Sequence, residues 1–105
     1  MELNIIIDNY SMNLNIPDEY LTSSEEAFSS LDNTLDRGCQ IGRDWVQSPG
    51  THQRCQFAAG KLLTAIETDN ESLAMISAGY IVNRLPGVQR VRIDTSGEMN
   101  NTTFE

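Results

Sequence analysis

Within the thirteen residues from Leu73 to Leu85, the apolar side chains Leu73, Ala74, Met75, Ile76, Ala78, Tyr80, Ile81, Val82 and Leu85 point in nearly every direction around a helix. A helix that is apolar on all sides has to be surrounded by protein or lipid. A bilayer needs about 20 apolar residues in a row, which this segment lacks, so it is expected to be a central helix buried in protein. Its limits are legible. Asp69 or Asn70 can cap the N-terminus, Glu71 stands in the first turn, and Pro86-Gly87 ends it, giving a helix over residues 71–85.

The rest of the chain is read by what it can place around that helix. With 105 residues, one domain can bury a core without disulfides or metals. A hydrophobic fraction of 39% with 21% charged residues is too apolar for a disordered chain. Residues 3–16 read as a β-hairpin. Leu3, Ile5 and Ile7 alternate in one arm and Tyr10, Met12, Leu14 and Ile16 in the other, around the turn-forming pair Asp8-Asn9. Clean alternation implies a sheet with one face buried and the other wet, and Pro17 ends the second arm.

Thr22 and Ser23 are each followed three residues later by Glu, a capping-box pattern in two registers. From there Phe28, Leu31, Leu35, Cys39, Gly42 and Val46 recur at steps of three and four, which predicts one helix over residues 23–47. The alternative is a C-cap at Arg37-Gly38, but the apolar phase continues unchanged across Gly38 and Gly42. Ser48-Pro49 then opens a helix over residues 49–68, with Cys55, Ala59, Leu62 and Ile66 as its stripe and Phe57 on the other side. After the central helix, Val91 and Ile93 alternate with Arg90 and Arg92. Ser96-Gly97 reads as a turn into a returning strand, so residues 88–104 form a second hairpin whose last arm is weakly patterned. The expected fold is therefore α+β: a single two-layer domain in the order β-β-α-α-α-β(-β). Three helices pack on an antiparallel sheet made by the N- and C-terminal strands.

Charge is unevenly distributed. Residues 1–36 hold eight acids and no Lys or Arg, whereas residues 37–105 hold seven of each sign, so the first third carries the whole net charge of −8. Such a chain is not expected to bind nucleic acid or an anionic membrane directly. No basic-then-apolar start is present, since Glu2 stands where a signal peptide is positive, and the expected compartment is the cytoplasm. Cys39 and Cys55 both fall on apolar helical faces and read as buried, reduced thiols. His52 stands three residues before Cys55, half of a zinc clip without its partner pair, so no metal and no cofactor is expected. No nucleophile elbow and no glycine-rich phosphate loop is present.

Two constellations suit a partner. Arg84, Arg90 and Arg92 form the one local basic cluster, able to receive an acidic group of this chain or of another copy. Trp45, beside Arg43, has the composition of an interface hot spot, and Phe57 is a second candidate apolar anchor. The expected function is a non-enzymatic, acidic protein–protein interaction or assembly module, as a homodimer or with another protein. The alternative is a small ligand-binding protein or enzyme with a cleft near His52 and Cys55.

Overall fold

The computed structural model describes residues 1–41 and 43–105. The chain runs β1 (Glu2–Ile7), β2 (Tyr10–Asn15), α1 (Asp18–Ser23), α2 (Glu25–Leu35), β3 (Cys39–Ile41), β4 (Asp44–Val46), α3 (Thr51–Glu67) and α4 (Glu71–Arg84). It closes with β5 (Arg90–Ile93), a 3-10 turn (Met99–Asn101) and β6 (Thr103–Phe104). The strands at the two ends of the chain join in one four-stranded sheet of order β2-β1-β5-β6, and helices cover one face of it. This is the expected α+β layer arrangement, with four helices and a mixed sheet.

The hairpin β1–β2 sets Leu3 opposite Leu14, Ile5 opposite Met12 and Ile7 opposite Tyr10, all toward the helices. Asp8 makes the turn in the left-handed region, at φ 54°, which an Asp tolerates better than most side chains. β5 lies beside β1 in parallel, pairing Ile5 with Val91 and Ile7 with Ile93. The expectation of a wholly antiparallel sheet is corrected at this pair. The chain leaves β1 and returns to its flank only after the helical layer, and such a crossover delivers the strand in the same direction. The last arm is short because Asn100 and Asn101 enter the 3-10 turn. It is nonetheless tied down: buried Gln56 donates from Nε2 to the carbonyls of Asn100 and Thr102, at 3.0 and 3.2 Å.

The single helix expected over residues 23–47 is replaced by three pieces. The helical stretch begins earlier, at Asp18 after Pro17, and Ser24 (φ −101°, ψ 10°) separates α1 from α2. The predicted capping box does not form. The Thr22 and Ser23 hydroxyls instead donate backwards to the carbonyls of Asp18 and Tyr20. α2 stops at Gly38, whose φ of +99° suits glycine alone; a Cβ there would stand 2.9 Å from both the Trp45 ring and the Val46 carbonyl. Beyond it, Cys39–Ile41 and Asp44–Val46 pair antiparallel as β3 and β4, with Cys39 opposite Val46. That pairing explains the misleading phase. Residues seven apart lie two turns apart on a helix, and here they are partners across two antiparallel strands. Gly42, also part of the predicted stripe, lies outside the described residues.

α3 starts at Thr51 with Gly50 as its N-cap, two residues later than Ser48-Pro49 predicted, and the Gly50 N–H donates to Gln53 Oε1. It ends in a Schellman turn. The Asn70 N–H reaches the Ala65 carbonyl at 2.8 Å and the Asp69 N–H the Ile66 carbonyl at 3.4 Å, with Asp69 at φ 53° in the place usually taken by glycine. Asn70 at once caps α4, accepting from the Leu73 N–H at 3.1 Å.

α4 fulfils its sequence expectation over only half its length. Ser77 to Val82 are buried, with Ala78 and Ile81 at 0% exposure and Tyr80 at 1%. Gly79 lets the Phe28 and Tyr20 rings approach. Leu73, Ala74, Met75 and Ile76 are only half-buried. No described helix is long and apolar enough to cross a membrane.

Candidate functional site

The buried half of α4 carries the most concentrated polar chemistry in the fold. Asp32, projecting from α2, accepts four donors. Tyr80 Oη stands at 2.6 Å and an Arg54 terminal nitrogen at 3.1 Å from one carboxylate oxygen. Arg84 contacts the other through Nε at 3.0 Å and a terminal nitrogen at 2.6 Å. Arg54 also binds Asp36 at 2.6 Å and the Pro49 carbonyl at 2.9 Å. Arg84 stacks 5.3 Å from the Tyr80 ring centroid and donates to Asn83. Two acids of the first third thus neutralise two arginines of the remainder, and α2, α3 and α4 are joined at one point.

Its electrostatics suit a clasp. Burial raises the Asp32 carboxyl, but the Tyr80 hydroxyl and the two guanidinium groups outweigh that and hold it below the ordinary carboxylate value. Burial, together with the Asp32 carboxylate, pushes the Tyr80 phenol up. Cys55, fully buried, is pushed up to about 12 by desolvation. These shifts keep the Asp32 carboxylate charged and the Tyr80 phenol and Cys55 thiol protonated at neutral pH, and the first two are the states in which the clasp is bonded. Sequence reasoning missed Asp32, Arg54 and Tyr80. The only available signal was the pair Asp32 and Asp36, one turn apart at the end of α2 with no base nearby in the sequence before Arg37.

The five residues expected at a partner surface fall on four elements. Arg84 belongs to the clasp. Arg90 and Arg92 lie across the sheet from it, on the open face of β5, where both reach Glu105 (3.3 and 3.4 Å) and Arg90 also donates to Asn4. These three are therefore not one basic cluster. Trp45, 63% exposed on β4, leans over Gly38. Phe57, half-buried on α3, lies under the Lys61 ammonium at 5.4 Å. His52 and Cys55 also part company: His52 is exposed, edge-on to Phe104 at 5.3 Å, while Cys55 faces the core. Among the described residues no three His, Cys, Asp or Glu side chains converge on a point where a metal could be held.

An open groove lies between β2, the end of α3 and the other half of α4. Two adjoining cavities of about 750 and 530 Å³ share Tyr10 and Ile66 and run along the core side of β2. One wall is the strand, through Tyr10, Met12 and Leu14. The other is helical, through Leu63 and Ile66 of α3 and Ala74 and Met75 of α4. Tyr10 is 59% exposed. The cause is geometric: the helical layer ends before the edge of the sheet, so Met12 and Leu14 are only half-buried against the core and Tyr10 stays exposed. Asp8, Glu67, Asp69 and Glu71 line the same groove, and no Lys or Arg does. No protein family, curated protein or solved structure matches the chain.

Proposed function

We propose that the chain is a non-enzymatic protein–protein interaction module acting in the cytoplasm, and that its docking surface is the groove between β2 and the first half of α4. One observation carries this reading. Ala74 and Met75 of an apolar helix half and Tyr10, Met12 and Leu14 on the apolar side of an edge strand face each other across an open cavity, although β1 and β5 beside that strand keep Leu3, Ile5, Val91 and Ile93 buried. Exposed apolar surface rimmed by polar groups marks interaction sites, and the groove is long and open, as suits a polypeptide segment. The acidic rim would speed and select encounters more than it would tighten them.

The test is selection of a random peptide display library on the purified protein. Enriched peptides are expected to bind wild type and to lose about tenfold or more in affinity to Met75→Asn, which removes apolar surface from the groove and leaves its charges in place. An unenriched library, or enriched peptides indifferent to Met75→Asn, would contradict the reading.

A further inference from the structure

Resting on that reading of the groove, we infer what occupies it: an extended, basic segment of another protein, adding to the sheet as a fifth strand alongside β2. Three observations converge. The first is the edge itself. β2 is the outer strand, and its outward main chain pairs with no other described strand. Met1 and Ile16 exchange both backbone hydrogen bonds, at 3.0 and 2.7 Å. By antiparallel alternation, Tyr10, Met12 and Leu14 turn their main-chain groups to β1, while Ser11, Asn13 and Asn15 turn theirs outward. Natural edges are guarded by proline, lysine, bulges or brevity. The opposite edge, β6, has two residues, whereas β2 has six and contains neither proline nor lysine.

The second observation is where an added strand would put its side chains. It would lie about 4.8 Å outside β2, with every other side chain on the core side, over the cavities walled by Met12, Ile66, Ala74 and Met75. Main-chain bonds to Ser11, Asn13 and Asn15 would supply affinity, and the groove would select apolar residues at alternate positions.

The third is charge. The groove is lined by four carboxylates and no cation. Asp8 and Asp69 are the only described non-glycine residues with positive φ, at 54° and 53°. Glycine would relieve both positions, and each holds a carboxylate in the groove instead; the Asp8 carboxylate also accepts from the Thr95 hydroxyl. A second copy fits poorly. Antiparallel pairing of two β2 strands about Asn13 would bring Asp8 of one copy near Asp18 of the other and set acids against acids along the groove.

Fluorescence anisotropy with three labelled ten-residue peptides tests this: alternating valine and lysine, alternating valine and glutamate, and leucine and lysine at helical spacing. The valine–lysine peptide is expected to bind at least about tenfold tighter than either of the others, less so as salt rises. Two variants should each weaken it about tenfold or more. Asn13→Pro removes an outward N–H and an exposed side-chain bond from Asn4, and its melting curve should stay near wild type; Glu67→Lys/Glu71→Lys brings the four-carboxylate rim to zero net charge without touching the edge. Preference for the helical peptide, or indifference to Asn13→Pro in a folded protein, overturns the strand. Equal binding of the glutamate peptide, or indifference to Glu67→Lys/Glu71→Lys, overturns the basic partner. In both cases binding that is still lost in Met75→Asn leaves the groove as a docking surface. Failure of all three peptides together with a concentration-dependent dimer in sedimentation assigns the groove to a second copy and overturns the proposal. Failure with a monomer and an unenriched library removes the proposal and the docking reading together.

Discussion

The two halves of α4 have nearly the same apolar content and opposite surroundings. The second half, Ser77 to Val82, is closed on all sides: Phe28 meets Tyr80 edge-on at 6.2 Å, and the Asp32 clasp seals the end. The first half, Leu73 to Ile76, is only half-buried, and its Ala74 and Met75 wall the open groove. One continuous helix thus serves as anchor and as surface. Composition does not separate the two. What separates them is where the neighbouring layer stops.

The comparison breaks most decisively by charge insertion. Ile81→Asp buries an unpaired carboxylate at a site of 0% exposure and should cost about 4 kcal/mol or more, enough to abolish the cooperative melt. Met75→Asp, six residues earlier, should cost under about 1 kcal/mol, because its carboxylate can reach water. Equal melting temperatures for the two variants would erase the distinction between the halves.

The clasp comes next. Asp32→Asn leaves Arg84 without its anion and Arg54 with Asp36 alone. Breaking a buried charge cluster costs about 3–5 kcal/mol, but the Asp32 side chain is 26% exposed, so about 2 kcal/mol is expected. The pH dependence has a definite sign. The folded-state carboxyl lies below its ordinary value of 3.8. Its contribution is therefore complete above that value and is lost as pH falls through the depressed folded one. Chemical denaturation between pH 7 and pH 2.5 should show that acid limb in wild type, and a shallower one in Asp32→Asn.

A smaller effect separates packing from propensity. Alanine at Gly79 gains about 1 kcal/mol of helix propensity, but its Cβ would stand 3.1 and 3.2 Å from the Phe28 and Tyr20 rings. Phe28 is fully buried and cannot give way, so overpacking should win and Gly79→Ala should be less stable by about 1 kcal/mol. Smallest of all, Asp69→Gly relieves the left-handed backbone and should stabilise by about 0.5–1 kcal/mol, while weakening the valine–lysine peptide severalfold. Stabilisation without weaker binding would detach Asp69 from the rim.

Much of this was legible in the chain. Period-two alternation located β1, β2 and β5, because each has one face on the core. Asn70 and Pro86-Gly87 bracketed α4. Residues 38–46 were misread because a three-residue strand is too short to show its own period, and the Cys39–Val46 pairing mimics two helical turns. The clasp was hidden for a different reason. Asp32, Arg54 and Arg84 are far apart in sequence, and only packing of three helices at one level brings them together. The groove was hidden in plain sight, since alternation in β2 says which side is apolar and not whether a helix reaches far enough to cover it.

The most direct test is amide hydrogen exchange resolved by residue, with and without saturating valine–lysine peptide. In the free protein the outward N–H groups of Ser11, Asn13 and Asn15 should exchange quickly, while those of Tyr80 and Ile81 should open only with global unfolding. With peptide, Ser11, Asn13 and Asn15 should gain about tenfold or more in protection, and Tyr80 and Ile81 should change little beyond the stabilisation that binding confers. Protection confined to β6 or to the open sheet face around Arg90, or bound peptide that leaves the three β2 amides unchanged, would contradict the account.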